Sequence, residues 1–258
     1  MPTIETRRDG KFFYLTLNRT HRKNAFDPET YQLAADLLNQ ANQDPEIAFT
    51  VLTGKDDFFS SGSDFDFKKL QGDGVAWKTS GSYTPPYFHL ISQLIEHKKI
   101  LVALVNGPAI GIGVTMLSLF DLVIASDKAY FTTPFTQLGL AVEGTSSYSF
   151  LANFGRLAAS RLLLFSEKLT AEQAHQIGLV SHVVPHANFE QSCKKQLDYL
   201  GTLAPQSMLQ CKARMINESV RKELWHSHVE EKILLGKRWE SDEVFEFMAK
   251  KFNKKSKI

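Results

Sequence analysis

Residues 106–113 read Asn-Gly-Pro-Ala-Ile-Gly-Ile-Gly, and this stretch decides the fold prediction. It directly follows Ile100 to Val105, a continuous apolar run typical of a strand that is buried on both faces. Its glycines allow a tight turn and a close approach of the backbone to a ligand. A helix beginning near Gly111 would direct unpaired N–H groups towards an anion or an oxyanion. The glycine order excludes a dinucleotide fingerprint, and a close-packed turn without a ligand explains the stretch equally well.

A second turn of this kind lies earlier in the chain. Residues 58–65 read Phe-Phe-Ser-Ser-Gly-Ser-Asp-Phe and follow a strand predicted from Ile47 to Leu52. The small residues around Gly62 expose backbone amides, and Asp64 can hold the turn through its side chain. An ordinary surface turn is the alternative interpretation. Two amide-rich turns after two different strands are also what a paired oxyanion hole requires.

Strand and helix patterns alternate around these two turns. Phe12 to Leu17 has the pattern of a strand, and Glu29 to Gln43 has that of a helix capped by Asp27. Leu122 to Ala125 is again apolar and typical of a buried strand. This repetition predicts an α/β layer with parallel strand pairs and right-handed crossovers. From Asn188 onward the pattern is that of amphipathic helix.

The composition is that of an ordinary globular protein. The chain has 258 residues, of which 43% are hydrophobic and 22% charged, with a formal net charge of +2. So small a charge favours neither a nucleic acid nor a membrane as the partner. No apolar run approaches the ~18 residues of a membrane span, and no signal peptide is expected. Cys193 and Cys211 lack metal-ligand spacing, so we expect no metal and a reducing intracellular compartment.

The two turns, in this order and at this separation, resemble the two signatures of the crotonase (enoyl-CoA hydratase/isomerase) superfamily. The resemblance covers nearly the whole chain, from Asn18-Arg19 to Gly178-Leu179-Val180. It implies an α/β crotonase spiral of ββα units over residues 1–200. It also implies a helical region over residues 201–258 that completes the site and mediates a homotrimer or a dimer of trimers. The substrate implied is an acyl-CoA thioester, with no cofactor beyond the CoA that the substrate carries.

Position by position, the resemblance places the oxyanion-hole amides at Ser63 and Ile112. One such donor typically lowers the barrier by ~3 kcal/mol. The donors are backbone groups, so the side chains need only fit the pocket. Further substrate-binding residues implied by the resemblance flank these amides. They are Lys23, Ala25, Ser61, Gly62, Asp64, Phe65 and Gly111.

The carboxylates distinguish the reactions of the superfamily. Hydratases of this family use two pocket glutamates, and the corresponding positions here are Thr115 and Phe135. Residues 139–148, Gly-Leu-Ala-Val-Glu-Gly-Thr-Ser-Ser-Tyr, instead resemble the peroxisomal-type Δ3,Δ2-enoyl-CoA isomerases, in which the glutamate of the Glu-Gly turn is the only base. That residue is Glu143, and its apolar neighbours are expected to raise its pKa by desolvation. Without the resemblance, the helix macrodipole alone explains a glutamate at a helix start.

The resemblance therefore implies an isomerase that moves a double bond from C3 to C2 of an enoyl-CoA in the β-oxidation of unsaturated fatty acids. One alternative is a hydratase-like or other crotonase activity that uses a second carboxylate, for which Asp57, Asp64 and Asp66 are candidates. Others are an acyl-CoA-binding protein without turnover and a reader of acylated protein.

The last three residues bear on the location of the protein in the cell. Ser256-Lys257-Ile258 differs from the peroxisomal address Ser-Lys-Leu only in the final residue. We expect a peroxisomal location reached through the import receptor that reads this tripeptide. A mitochondrial or cytosolic location is the alternative, in which the tail is an ordinary lysine-rich terminus.

Overall fold

A central parallel sheet carries the fold. The structure is a computed structural model that describes residues 2–64 and 84–255, the side chains of 252–255 excepted. The predicted substrate contact of Phe65 and the predicted address at Ser256-Lys257-Ile258 lie outside these residues. The strands within the described residues are β1 (Ile4–Asp9), β2 (Phe12–Leu17), β3 (Phe49–Gly54), β4 (Ile100–Val105), β5 (Ala109–Ile110), β6 (Leu122–Ser126), β7 (Tyr130–Thr132), β8 (Leu169–Thr170) and β9 (His182–Val184).

The described strands form two sheets. The six-stranded sheet has the order β1-β2-β3-β4-β6-β9, and the three-stranded sheet has the order β5-β7-β8. In the larger sheet β1 and β2 are antiparallel, and all other neighbours are parallel. Every residue of β4 is buried. This agrees with its unbroken apolar sequence, because a parallel strand at the centre of a sheet has both faces covered.

Helices cover both faces of the larger sheet. They are α1 (Pro28–Gln43), α2 (Pro86–Ile95), α3 (Ile112–Thr115), α4 (Ser146–Phe154), α5 (Arg156–Leu163), α6 (Ala171–Gln176), α7 (Phe189–Thr202), α8 (Pro205–Met215), α9 (Glu218–Trp239) and α10 (Asp242–Lys255). α1 and α2 pack on one face, and α7 and α8 on the other. Among the described helices none is long and apolar enough to cross a membrane.

Local sequence signals place several helix ends correctly. The Asp27 side chain accepts a hydrogen bond from the Thr30 amide at 2.8 Å, and Pro28 occupies the first helical position of α1. At the start of α6, Thr170 and Gln173 form the reciprocal capping box that the sequence predicts. These starts were predictable because each depends on residues within one turn.

The strand boundaries differ more from the sequence prediction. β3 begins at Phe49 and not at Ile47, because the Ile47 amide closes a turn onto the carbonyl of Asp44 at 3.3 Å. β1 was missed altogether. It is an edge strand in which only Ile4 is buried and the remaining residues are polar or charged, so it shows no strand alternation.

The C-terminal helices are packed onto the rest of the chain. α9 contacts both α2 and α4, and α10 contacts the short 3-10 turn Thr136–Leu138. Trp239 at the end of α9 is 1% exposed. The boundary predicted after residue 200 falls in the last turn of α7. The C-terminal region thus reaches the start of α4, where the candidate site lies.

Candidate active site

The turns that follow β3 and β4 are joined by backbone hydrogen bonds. Ser60 and Ala109 form an isolated parallel bridge. In it the Ser60 amide donates to the Pro108 carbonyl at 3.2 Å, and the Ile110 amide donates to the Ser60 carbonyl at 2.9 Å. Because the two strands are parallel neighbours, their carboxyl ends meet at one edge of the sheet, and both glycine turns lie there.

Gly62 and Gly111 bring the two turns into contact. Their φ angles are +89° and +57°, a region that L side chains rarely adopt. A Cβ atom on Gly62 would lie 2.8 Å from the carbonyl oxygen of Ile110 and 3.7 Å from the Cα of Gly111. Glycine is therefore required at position 62 both by the backbone conformation and by the neighbouring turn.

At this contact, within the part of the chain that the structure describes, the backbone amides of Ser63 and Ile112 have no backbone acceptor. The Phe26 amide donates to the Gly62 carbonyl and the Asp64 amide donates to the Phe26 carbonyl, both at 2.8 Å, so the N–H of Ser63 points away from this pairing. Ile112 is the first residue of α3, and its amide has no acceptor within that helix. Within the described residues neither amide donates to a backbone carbonyl. Two free amides on touching turns can hold an oxyanion.

Glu143 is buried beside α3, with 7% of its surface exposed. The Thr115 hydroxyl donates to Glu143 Oε1 at 2.9 Å. The other oxygen, Oε2, is buried and has no hydrogen-bond partner among the described residues. Burial raises the pKa of Glu143 to about 8, the Thr115 hydrogen bond opposes this rise, and the charge of Glu231 adds to it. One carboxyl oxygen is thus held while the other can exchange a proton with a ligand.

The turn after Glu143 is pressed against α3. A Cβ atom on Gly144, whose φ is +74°, would lie 2.5 Å from Thr115 Oγ1 and 3.4 Å from Ile112 Cδ1. The Ser146 hydroxyl closes the turn by donating to the Glu143 carbonyl at 2.7 Å. This close packing holds the carboxyl group of Glu143 against α3, the helix that begins with Ile112.

A second buried carboxylate lies behind this turn. Glu231 of α9 is 3% exposed, and its oxygens accept hydrogen bonds from the amides of Thr145 and Ser147, each at 2.7 Å. Glu231 was not among the site residues predicted from the sequence. Glu231 lies 86 residues after Thr145, and an acidic residue in an amphipathic helix resembles an ordinary solvent-facing charge.

Two tyrosines also reach the site and were missed. The Tyr31 hydroxyl shares a 2.7 Å hydrogen bond with the Ser63 hydroxyl. The Tyr87 hydroxyl is buried without a hydrogen-bond partner among the described residues. Burial raises the pKa of both phenols, and the charge of Glu143 raises them further, which shows that both rings lie in the electrostatic range of that carboxylate. Tyr31 of α1 and Tyr87 of α2 therefore belong to the surroundings of Ser63 and Glu143.

Lys23 and Ser61 lie together beside the Gly62 turn. The Ser61 amide donates to the Lys23 carbonyl at 2.9 Å, and the Ser61 hydroxyl donates to the Arg22 carbonyl at 3.1 Å. Lys23 itself has a φ of +55°, and its Nζ lies 4.9 Å from the ring centre of Phe58. The exposed ammonium group is thus held near the two glycine turns.

Asp64 holds the first turn through ion pairs. Its carboxylate pairs with Arg22 and with Arg19, the latter at 2.9 Å. The Arg22 hydrogen bond holds the pKa of Asp64 below its usual value. Arg19 also donates to the carbonyl of Ala25 at 2.6 Å, which fixes the buried backbone beside Ser63. Asp64 is therefore engaged with cations and does not supply a second acid next to Glu143.

The positions of the two hydratase glutamates carry other groups. Thr115 binds the carboxyl group of Glu143, and Phe135 is a buried apolar side chain with 6% exposure. The described residues contain no group of three or more His, Cys, Asp or Glu side chains that could hold a metal ion. The chemistry that this geometry supports is proton transfer by a carboxyl group next to a carbonyl held by two amides.

Comparison with known proteins agrees with this geometry. The family described as enoyl-CoA hydratase/isomerase matches residues 7–256. The chain belongs to this crotonase family. Its crystal-structure neighbours include an enoyl-CoA hydratase/isomerase from Pseudoalteromonas atlantica T6c, with a TM-score of 0.87, 30% identity and 98% of each chain covered. The predicted family and the predicted crotonase fold with its helical C-terminal region are therefore confirmed.

Two curated relatives of this crotonase-family chain carry isomerase names. Enoyl-CoA delta isomerase 2 from Homo sapiens is 37% identical over 256 residues, which cover 99% of this chain and 64% of the relative. Enoyl-CoA delta isomerase 3, peroxisomal, from Mus musculus is 37% identical over 218 residues, which cover 84% of this chain and 68% of the relative. The chain thus spans about two thirds of the length of these relatives. Membership of the family implies an acyl-CoA thioester as the ligand of the site.

Proposed function

We propose that the chain is a Δ3,Δ2-enoyl-CoA isomerase in which Glu143 is the single acid–base group. The observation that supports this most is the state of its carboxyl group. Oε1 accepts the Thr115 hydrogen bond, whereas Oε2 is buried and has no partner among the described residues. A carboxyl group that removes a proton and returns it must be shielded from water and have a free oxygen.

The proposed reaction uses the two free amides as the oxyanion hole. The thioester oxygen would accept hydrogen bonds from the amides of Ser63 and Ile112, and Glu143 Oε2 would take a proton from C2 of the 3-enoyl-CoA. The electron pair of the broken C–H bond then forms a dienolate whose negative charge lies on the thioester oxygen. Return of the same proton to C4 restores the carbonyl and leaves the double bond between C2 and C3.

Hydration is the less favoured reaction because a second acid–base group is not free within residues 2–64 and 84–255; the candidate Asp66 lies outside them. Glu231 is the other buried carboxylate near Glu143, and both of its oxygens accept backbone amides of Thr145 and Ser147. Asp64 is paired with two arginines. Among the described residues, neither carboxylate is placed to activate a water molecule while Glu143 acts on the substrate.

The test is turnover of trans-3-hexenoyl-CoA by the purified protein, followed by the ultraviolet absorbance of the conjugated 2-enoyl product. We expect the parent to convert it, and Glu143→Gln to lose several orders of magnitude in kcat. Glu190→Gln, an exposed glutamate at the start of α7, is the matched control and should be unchanged. Incubation of trans-2-hexenoyl-CoA with the same samples measures hydration.

Each contrary outcome selects another function. Binding of hexenoyl-CoA without turnover by either protein would favour an acyl-CoA-binding protein. Water addition faster than isomerisation would favour a hydratase. Equal isomerase activity of the parent and of Glu143→Gln would show that another group is the base.

We further propose a peroxisomal location and a homotrimer or a dimer of trimers. The location is supported by the tripeptide Ser256-Lys257-Ile258 and by the peroxisomal name of one relative. The assembly is supported by exposed apolar side chains around α5, with Leu157 79%, Leu164 58% and Phe165 71% exposed. Deletion of Ile258 should abolish peroxisomal accumulation, and sedimentation should give the mass of three or six chains. An unchanged distribution or a monomeric mass would contradict the respective proposal.

A further inference from the structure

Glu231 connects the C-terminal helices to the turn that carries Glu143. Its Oε2 accepts the Thr145 amide and its Oε1 accepts the Ser147 amide. The Ser227 hydroxyl, one helical turn earlier, also donates to Oε1 at 3.3 Å. Thr145 and Ser147 lie directly after the Glu143-Gly144 turn, where α4 begins. The carboxylate of Glu231 thus holds the backbone that directly follows Glu143 and Gly144.

The two hydrogen bonds to Glu231 cap the start of α4, and capping alone does not require a charged side chain. Neutral Ser, Thr and Asn side chains cap helix starts as well as the charged Asp does, so a charge is not needed for capping. Here the N-cap residue Thr145 has a φ of +65°, and its side chain makes no capping hydrogen bond. A buried ionised group is expensive unless it is paired or well hydrogen-bonded. Retaining a carboxylate at this place therefore points to a role that a neutral cap would not fill.

We infer that Glu231 is a positioning residue for Glu143: it fixes the residue 143–147 turn against α3 and places a second buried carboxylate, whose ionised form the two backbone hydrogen bonds favour, beside the proposed base. This inference rests on the proposed function. Burial is the main cause of the raised pKa of Glu143, and the like charge of Glu231 adds to it by disfavouring the ionised form. Glu231 accepts hydrogen bonds from the protein backbone with both oxygens, so it acts through Glu143 and not on the substrate.

The other groups that face Glu143 do not replace this effect. Thr115 of α3 donates a hydrogen bond, which lowers the pKa of Glu143. Tyr31 on α1 and Tyr87 on α2 also interact electrostatically with Glu143. Burial raises the pKa of both phenols, so they are neutral near pH 7. Among the residues that the structure describes, Glu231 of α9 is therefore the neighbouring charge that shifts the titration of Glu143.

The test is Glu231→Gln, which keeps the shape of the side chain and removes its charge. Glutamine offers one carbonyl oxygen, so one of the two amides of Thr145 and Ser147 loses its acceptor. We expect kcat to fall about tenfold or more, since small displacements of a catalytic group are costly. We also expect the acidic limb of the kcat/KM profile to move to lower pH, because the repulsion is gone.

Ser227→Ala is the matched control, since it removes a hydrogen bond to Glu231 and leaves the charge in place. Its pH profile should coincide with that of the parent. If Glu231→Gln lowers the melting temperature and leaves the pH profile unmoved, Glu231 is only a helix cap and the inference is wrong.

A second measurement separates this inference from the proposed function. In protein labelled with 13C at glutamate side-chain carboxyl groups, the resonance absent from Glu143→Gln belongs to Glu143. Its titration can be followed by NMR with no substrate present. Failure of the parent to isomerise would overturn the proposed function only, whereas an identical Glu143 titration in the parent and in Glu231→Gln would overturn the inference.

Discussion

Substitution of Gly144 by alanine tests whether the contact between the Glu143 turn and α3 fixes the position of Glu143, the proposed base. The added Cβ atom would meet two atoms of Thr115, Oγ1 at 2.5 Å and Cβ at 2.9 Å, at a backbone φ of +74°. Both distances are shorter than any real Cβ contact, and Thr115 is fully buried, so the turn must move away from α3. Movement of the turn separates the Thr115 hydroxyl from Glu143 Oε1.

The expected loss of unfolding free energy in Gly144→Ala has two parts. A left-handed φ costs an L residue roughly 1–2 kcal/mol, and insertion of a methyl group into a closely packed site costs about 1–3 kcal/mol. We therefore expect Gly144→Ala to lower the free energy of unfolding by roughly 2–5 kcal/mol in urea titrations. Gly10→Ala is the matched control, because Gly10 has a φ of +53° and no atom within 4 Å of the added Cβ. Gly10→Ala should lose only the roughly 1–2 kcal/mol that comes from the left-handed φ.

Gly144→Ala and Gly10→Ala should differ more in activity than in free energy of unfolding. A displacement of about 1 Å can reduce turnover about 100-fold, so Gly144→Ala should lose roughly that factor in kcat for trans-3-hexenoyl-CoA. Gly10→Ala lies in the β1–β2 turn and should keep the parent value. Equal losses of stability in the two variants, together with full activity of Gly144→Ala, would refute the reasoning.

Three further predictions concern the proposed base and the oxyanion hole. Thr115→Val removes the hydrogen bond that lowers the pKa of Glu143, so the acidic limb of kcat/KM should move to higher pH; a shift to lower pH would contradict this. Glu143 has a folded pKa of about 8, above its ordinary value of 4.5, so the folded chain binds the extra proton and its stability falls as the pH rises through 8. The unfolding free energy of Glu143→Gln should therefore exceed that of the parent by more at pH 9 than at pH 5; an equal difference at both pH values would contradict the raised pKa. Ile112→Pro removes the proposed oxyanion donor at a helix position that accepts proline, and should reduce kcat/KM about 10²–10³-fold below Ile112→Ala; equal rates in the two variants would exclude this amide.

Features that depend on neighbouring residues were predictable from the sequence. The cap at Asp27, the capping box at Thr170 and the fully buried strand Ile100–Val105 each follow from a pattern within one element. The two glycine turns were also predictable, because glycine is needed where φ is positive and where two backbones touch. The resemblance to the crotonases added the pairing of these turns, which a single sequence does not specify.

Features that depend on distant parts of the chain were not predictable. Glu231 and Tyr87 become recognisable only when α9 packs against both α2 and α4. The strand Ile4–Asp9 was missed because an edge strand with charged side chains has no buried alternation. The boundaries of β3 shifted by two residues because a turn after α1 uses the Ile47 amide. In each case the deciding contact joins residues whose own sequence pattern is uninformative.

The cap formed by Glu231 has a consequence for the order in which the protein can be made. A nascent chain that has emerged through α4 already contains both glycine turns and Glu143, but not α9. The amides of Thr145 and Ser147 then lack the acceptors that the finished chain supplies. The start of α4 therefore cannot reach its final form on the ribosome until α9 has been translated. Glu143, the proposed base, therefore becomes fully ordered only late in synthesis.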